Sequence, residues 1–198
     1  AGGSEAIRVA HGTHTAGIVG ASSDNSVGVA GAAQVKILEM KALAHDWLSN
    51  GCSGAVDGIA QAIMDAADQG AQVISMSIGG ASSSSMQAAV DYAHNKGVIL
   101  VAAAGNDGAN NSIDYPGAYA NVIAVAAFTN TKARASYSDG GPQLDISAPG
   151  SSVVSSYTDS NTSYAPLSGT SLATPHVAGA IALAPGPATA RHTPPQVT

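Results

Sequence analysis

The stretch Gly169-Thr170-Ser171-Leu172-Ala173-Thr174-Pro175-His176-Val177-Ala178-Gly179 puts two hydroxyls directly after a glycine and ahead of a small, apolar run. Gly169 allows a tight turn. Thr170 or Ser171 can cap a helix, and Leu172, Val177 and Ala178 give that helix an apolar side. Pro175 falls inside the first turns, where its missing N–H does least harm. A hydroxyl at such a start faces unpaired backbone N–H groups and the positive end of the helix dipole. That setting suits a nucleophile whose product carries a negative oxygen. A free serine hydroxyl is too weakly acidic to attack an amide at neutral pH unless a base takes its proton. His11-Gly12-Thr13-His14-Thr15-Ala16-Gly17-Ile18-Val19-Gly20 offers two imidazoles for that purpose. Zinc on a helix wants histidines at i and i+4 with an adjacent glutamate, a pattern this stretch lacks.

HGTHTAGIVG and GTSLATPHVAG, in that order and far apart, together with Ala102-Ala103-Ala104-Gly105-Asn106 after an apolar run, resemble the subtilisin-like serine proteases. The resemblance runs from about residue 11 to residue 183. It implies a serine endopeptidase that hydrolyses peptide bonds through an acyl-enzyme. Ser171 matches the nucleophile and His11 the general base, which later returns the proton to the leaving amine. Asn106 matches the oxyanion donor, acting with the backbone N–H of Ser171. Ser77, Ile78 and Gly79 resemble the edge segment that pairs with a polypeptide substrate as an added strand. Ala102, Ala103, Ala104 and Gly105 match the wall of the first specificity pocket, and Tyr115-Pro116-Gly117 its closing segment. Asp114 precedes that segment and Asp107 follows Asn106. Carboxylates at a pocket mouth attract a basic side chain, so cleavage after Lys or Arg is expected beside cleavage after apolar residues.

Ser23-Asp24-Asn25-Ser26-Val27-Gly28-Val29 resembles the family's structural calcium loop. Calcium wants oxygen ligands, and Asn25, Val27 and Val29 match positions that supply them. The family takes a further carboxylate from a segment ahead of residue 1, so an incomplete calcium site is expected.

The family's third catalytic residue is an aspartate at the end of a strand before the histidine. The ten residues ahead of His11 contain none, and Glu5 is their one acid. Asp57 begins a helical pattern, and Asp145 matches a structural position. The expectation is one subtilisin-like catalytic domain over residues 1–198, lacking the aspartate strand and the C-terminal helices. The Pro- and Thr-rich end, Pro185 to Thr198, reads as the start of that helical region cut short. The rival expectation is an impaired core that binds peptides without cleaving them. An esterase elbow, Gly-x-Ser-x-Gly, does not surround Ser171.

Composition agrees with one domain: 198 residues, 45% apolar and 10% charged, suffice for a sizeable core. A net charge of −6 and no basic run disfavour nucleic acid. No apolar run reaches the roughly 18 residues needed to cross a bilayer. No stretch has the pattern of a signal peptide or propeptide. Cys52 is the one cysteine, which rules out an internal disulfide. A monomer exported from the cell is expected, with no membrane partner.

These residues need a frame. Residues 1 to 10 read as a short arm and 11 to about 21 as a helix. Residues 34 to 43, with Val35, Ile37 and Leu38, read as a strand, and 44 to 54 as a loop holding Trp47 and Cys52. Helical spacing covers 55–69 and 84–95. Apolar runs at 72–78, 98–103, 122–127 and 144–146 read as buried strands. Strands alternating with helices predict an α/β fold of three layers, a mostly parallel sheet covered on both faces. Sites in such sheets form at the carboxyl ends of strands, where Gly79 and Asn106 lie.

Overall fold

Four apolar runs make the centre of the molecule. The computed structural model describes residues 3–46 and 51–184. In chain order its elements are α1 (Gly3–Gly20), β1 (Ala44–Asp46), β2 (Gly51–Ser53), α2 (Val56–Asp68), β3 (Val73–Met76), α3 (Ser84–Asn95), β4 (Ile99–Ala103), β5 (Val122–Phe128), β6 (Ile146–Pro149), β7 (Val153–Ser156), β8 (Tyr164–Leu167) and α4 (Thr170–Leu183). The strands β3, β4, β5 and β6 lie side by side in that order, all parallel. Val73 pairs with Ile99, Leu100 with Val122, and Val125 with Ile146. β1 with β2 and β7 with β8 form two antiparallel hairpins.

Side chains alternate across a strand, and β4 shows the consequence. Leu100 and Ala102 pack with Ile63 of α2 and with Met86, Ala89, Val90 and Ala93 of α3. Val101 turns the other way, to Val125, Ala127 and Ala148 of the sheet and Ala173, Val177 and Ala178 of α4. Helices therefore cover both faces, as the alternation of strand and helix patterns requires. No helix among the described residues is long and apolar enough to cross a membrane.

Two expectations are corrected. The first ten residues are not an arm: α1 begins at Gly3 and runs through His11 without a break. Glu5, Ala6 and Arg8 are good helix formers, and no proline interrupts them. Residues 34–43 are not a strand. A strand needs a neighbour to take its N–H and C=O groups, and this segment has no ladder partner among the described residues. Val35, Ile37 and Leu38 are left 38–43% exposed. Smaller differences concern 44–54, where a short hairpin replaces the loop, and the last strand of the sheet, which begins at Ile146 rather than ending there. The β7–β8 hairpin has no counterpart in the sequence reading. Trp47, Ala1, Gly2 and the tail 185–198 lie outside the described residues.

Candidate active site

Ser171 stands second in α4, directly after Thr170 and the capping Gly169. The first N–H groups of a helix have no intrahelical partner. Here the N–H of Thr170 donates to the Asn106 carboxamide oxygen Oδ1 at 2.8 Å. The Thr170 hydroxyl lies 3.1 Å from the same oxygen. A backbone N–H can only donate, so the atom facing it is the amide oxygen, not the nitrogen. Asn106 Nδ2 is thereby turned away from Thr170. Neither Nδ2 nor the Ser171 N–H donates a hydrogen bond to an acceptor among the described residues, which leaves two donors beside the serine.

Asn106 owes its place to the end of β4. Gly105 has φ +114°, a region that side chains rarely adopt. A Cβ there would stand 2.1 Å from Asp139 Oδ2 and 3.0 Å from Asp114 Oδ2. The chain thus turns sharply between two carboxylates. Ala102, Ala103 and Ala104 are buried at the same strand end.

Ser77 follows β3 and meets α4 directly. Its hydroxyl donates to the Ser171 carbonyl at 2.7 Å, and the Ser171 hydroxyl donates to the Ser77 carbonyl at 3.4 Å. Ile78 packs on the α2–α3 core, and a Cβ on Gly79 would fall 2.3 Å from Asp114 Oδ2. Asp114 and Tyr115 are stitched to both strand ends: Asp114 N–H donates to Ala104 O at 2.8 Å and Tyr115 N–H to Gly80 O at 3.0 Å. Ser77–Gly79, Ala102–Asn106, Asp114 and Ser171 are therefore gathered at the carboxyl ends of β3 and β4. Burial, then the charges of Asp139 and Asp107, push the Asp114 carboxyl above its usual range.

His11 is carried on α1, which packs against α4. Among the described residues no hydrogen bond joins His11 to Ser171. Burial first, then the adjacent His14, lower the His11 pKa below the ordinary 6.5. Among the described residues no carboxylate contributes to that shift. Asp57 lies in the first turn of α2, and Asp145 Oδ2 accepts the Ala124 N–H at 2.9 Å, tying β5 to the segment before β6. His14 is fully buried; its Nε2 donates to Ala165 O at 2.9 Å, while the Ser155 hydroxyl donates to its carbonyl at 2.8 Å. That histidine is a tie between α1 and the β7–β8 hairpin.

The loop at Asn25 is tightly turned, with Asp24 at φ +58° and Ser26 at φ +60°. Asn25 Oδ1 already accepts the Val27 N–H at 3.0 Å. Calcium takes six to eight oxygens. Asn25, Val27 and Val29 supply at most a part, and no group of three acids, histidines or cysteines suited to a metal occurs among the described residues. Asn25, Val27 and Val29 thus supply only part of a calcium ion's oxygen shell.

Sequence reasoning missed Thr170 and Asp139. Thr170 read only as an alternative cap, and Asp139, in Ser-Asp-Gly-Gly, resembles any solvated turn. Only the packed structure brings both to the Asn106 loop.

A sequence profile described as the subtilase family matches residues 5–197. Thermitase of Thermoactinomyces vulgaris is 49% identical over 175 residues, covering 87% of this chain and 60% of its own. Subtilisin DY of Bacillus licheniformis is 47% identical over 178 residues, covering 87% and 62%. Among solved structures, one described as S41 psychrophilic protease superposes with a TM-score of 0.80 at 41% identity, again over 87% of this chain and 62% of that one. The chain thus spans about 60% of the length of these relatives. With the two histidine and serine motifs, the parallel sheet and the match over nearly its whole length, the chain belongs to the subtilase family.

Proposed function

We propose that this chain is the main part of the catalytic domain of a secreted serine endopeptidase. The observation that carries the reading is the pinned Asn106 carboxamide, which leaves Nδ2 and the Ser171 N–H as free donors at the serine. In this reading the Ser171 hydroxyl attacks the scissile carbonyl while its proton passes to His11. The carbonyl oxygen takes the negative charge between the two donors. The C–N bond then breaks, the leaving nitrogen takes the proton from His11, and water hydrolyses the acyl-serine. The lowered pKa of His11 keeps its imidazole neutral and able to accept a proton near pH 7.

Ser77–Gly79 would take the substrate backbone, and the small-residue wall Ala102–Gly105 the side chain before the scissile bond. Asp114 borders that wall, and among the described residues neither a cation nor a hydrogen-bond donor is paired with its carboxylate. This favours basic side chains in the pocket. Secretion is supported by a relative named extracellular protease, from Xanthomonas campestris, 44% identical over 191 residues. A monomer acting on polypeptides, without nucleic acid or membrane, fits the acidic charge. Any calcium bound at the Asn25 loop would be structural and would need ligands from elsewhere.

A second reading is peptide binding without cleavage, which is favoured in that, among the described residues, burial and His14 alone act on His11. Losing the orienting carboxylate costs about 10^4 in turnover in serine proteases. A serine-directed fluorophosphonate separates the two. Stoichiometric labelling at Ser171, abolished in Ser171→Ala, supports the endopeptidase. An unlabelled but folded chain that still binds peptides supports the binder.

A further inference from the structure

We propose that Asp139 is the positioning residue that holds the Asn106 loop in its working shape. The proposal rests on the reading of Asn106 as an oxyanion donor. Asp139 is 2% exposed, yet it carries a carboxylate. Its Oδ1 accepts the N–H of Asp107 at 3.1 Å and of Ala109 at 2.6 Å. Its own N–H donates to Gly105 O at 3.0 Å. One residue therefore ties the chain on both sides of Asn106. Oδ2 lies against the Gly105 backbone, where a Cβ would stand 2.1 Å away. Asp139 itself is seated by its neighbours: the Tyr137 carbonyl accepts the Gly108 N–H at 2.8 Å, and the Ser138 hydroxyl accepts the Ala127 N–H of β5 at 3.0 Å.

The division of labour follows. Thr170 grips the carboxamide oxygen from the helix side, and Asp139 grips the loop backbone from the sheet side. A donor stabilises a developing oxyanion without reorganisation only when it is already in place. A neutral side chain too short to reach would leave two N–H groups competing for water, and the loop would have to be ordered at each turnover. A carboxylate is the strongest acceptor available for two backbone donors at once.

The test uses the full chain with Asp139→Ala and Asp139→Asn. Amide hydrogen exchange needs no activity. The expected result is at least a tenfold loss of protection at Asp107 and Ala109 in Asp139→Ala, an intermediate loss in Asp139→Asn, and no change at core amides such as Val101. Equal protection in all three proteins overturns the proposal. If Asp139→Ala does not fold, Asp139→Asn is read alone against the same criterion. The kinetic arm uses a substrate with an apolar side chain before the scissile bond, so that the charge of Asp114 does not enter. Per fluorophosphonate-titrated site, kcat should fall about 10- to 100-fold at unchanged KM. The fall should vanish in an Asn106→Ala background, because the two residues act as one unit. A full additional loss in that background overturns the positioning role. A wild-type chain that takes no fluorophosphonate sinks the endopeptidase reading instead, and hydrogen exchange still decides the anchor.

Discussion

The carboxamide oxygen of Asn106 accepts the backbone N–H of Thr170 at 2.8 Å, and so the residue before the serine aims the side chain that would meet the oxyanion. Replacing Asn106 by Ala removes one of two donors. The expected loss in kcat is about 10^2–10^3, a magnitude borrowed from a subtilisin rather than derived from this chain. KM should stay near its original value, because the donor acts on the transition state. Steady-state kinetics per titrated site checks this.

Thr170→Val keeps the N–H and removes the hydroxyl. Thr170 is fully buried, and its Oγ1 sits 3.1 Å from Asn106 Oδ1 and 3.3 Å from the Gly105 N and O atoms. Leaving those groups short of a partner should cost about 1–3 kcal/mol. Urea unfolding with an unchanged m-value measures it, and an unaltered midpoint would contradict the contact.

Asp114→Asn should remove any preference for Lys or Arg before the cleaved bond while sparing apolar substrates. A peptide-library digest reads this out. The same variant should be more stable than wild type at neutral pH. The folded Asp114 carboxyl titrates above its ordinary value, so its ionisation opposes folding once the pH has risen past that range. The gain should disappear in acid, where Asp114 is protonated in both states.

Stability should fall as the pH drops from about 6.5. His11 and His14 both have pKa values lowered below 6.5 in the folded chain, chiefly because burial disfavours their charged forms; His14 adds repulsion to His11, while the hydrogen bond to the Ala165 backbone partly opposes the shift of His14. Unfolded imidazoles take protons first, so below about 6.5 the unfolded state binds more of them and gains. Above that pH neither state does, and the contribution is nil. Denaturant midpoints across this range should show the slope, and His11→Gln should make it shallower.

Leu100→Ala should cost about 2–5 kcal/mol, since Leu100 is 1% exposed between the sheet and α3. Thermal unfolding is the check. A loss below 1 kcal/mol would mean that the core collapses onto the site.

What the sequence determined by itself was local and periodic. Residues 84–95 spaced their apolar side chains for one helical face, and α3 spans those residues. The nearly uninterrupted run 98–103 suited a strand covered on both faces, and β4 is one. The serine and histidine motifs were legible because short chemical patterns survive without coordinates. Strand pairing and shared hydrogen bonds are different, because they depend on what another part of the chain brings. Val35, Ile37 and Leu38 have the composition of a strand and lack a neighbour to pair with. Glu5 to Ala10 had no strong pattern, yet they extend α1. Asp139 is 33 residues from Asn106 in sequence, and only β5 and its flanking turns carry it back to the loop. Tertiary structure alone decided which donors stayed free at Ser171, since a hydrogen bond between distant residues leaves no period in the sequence.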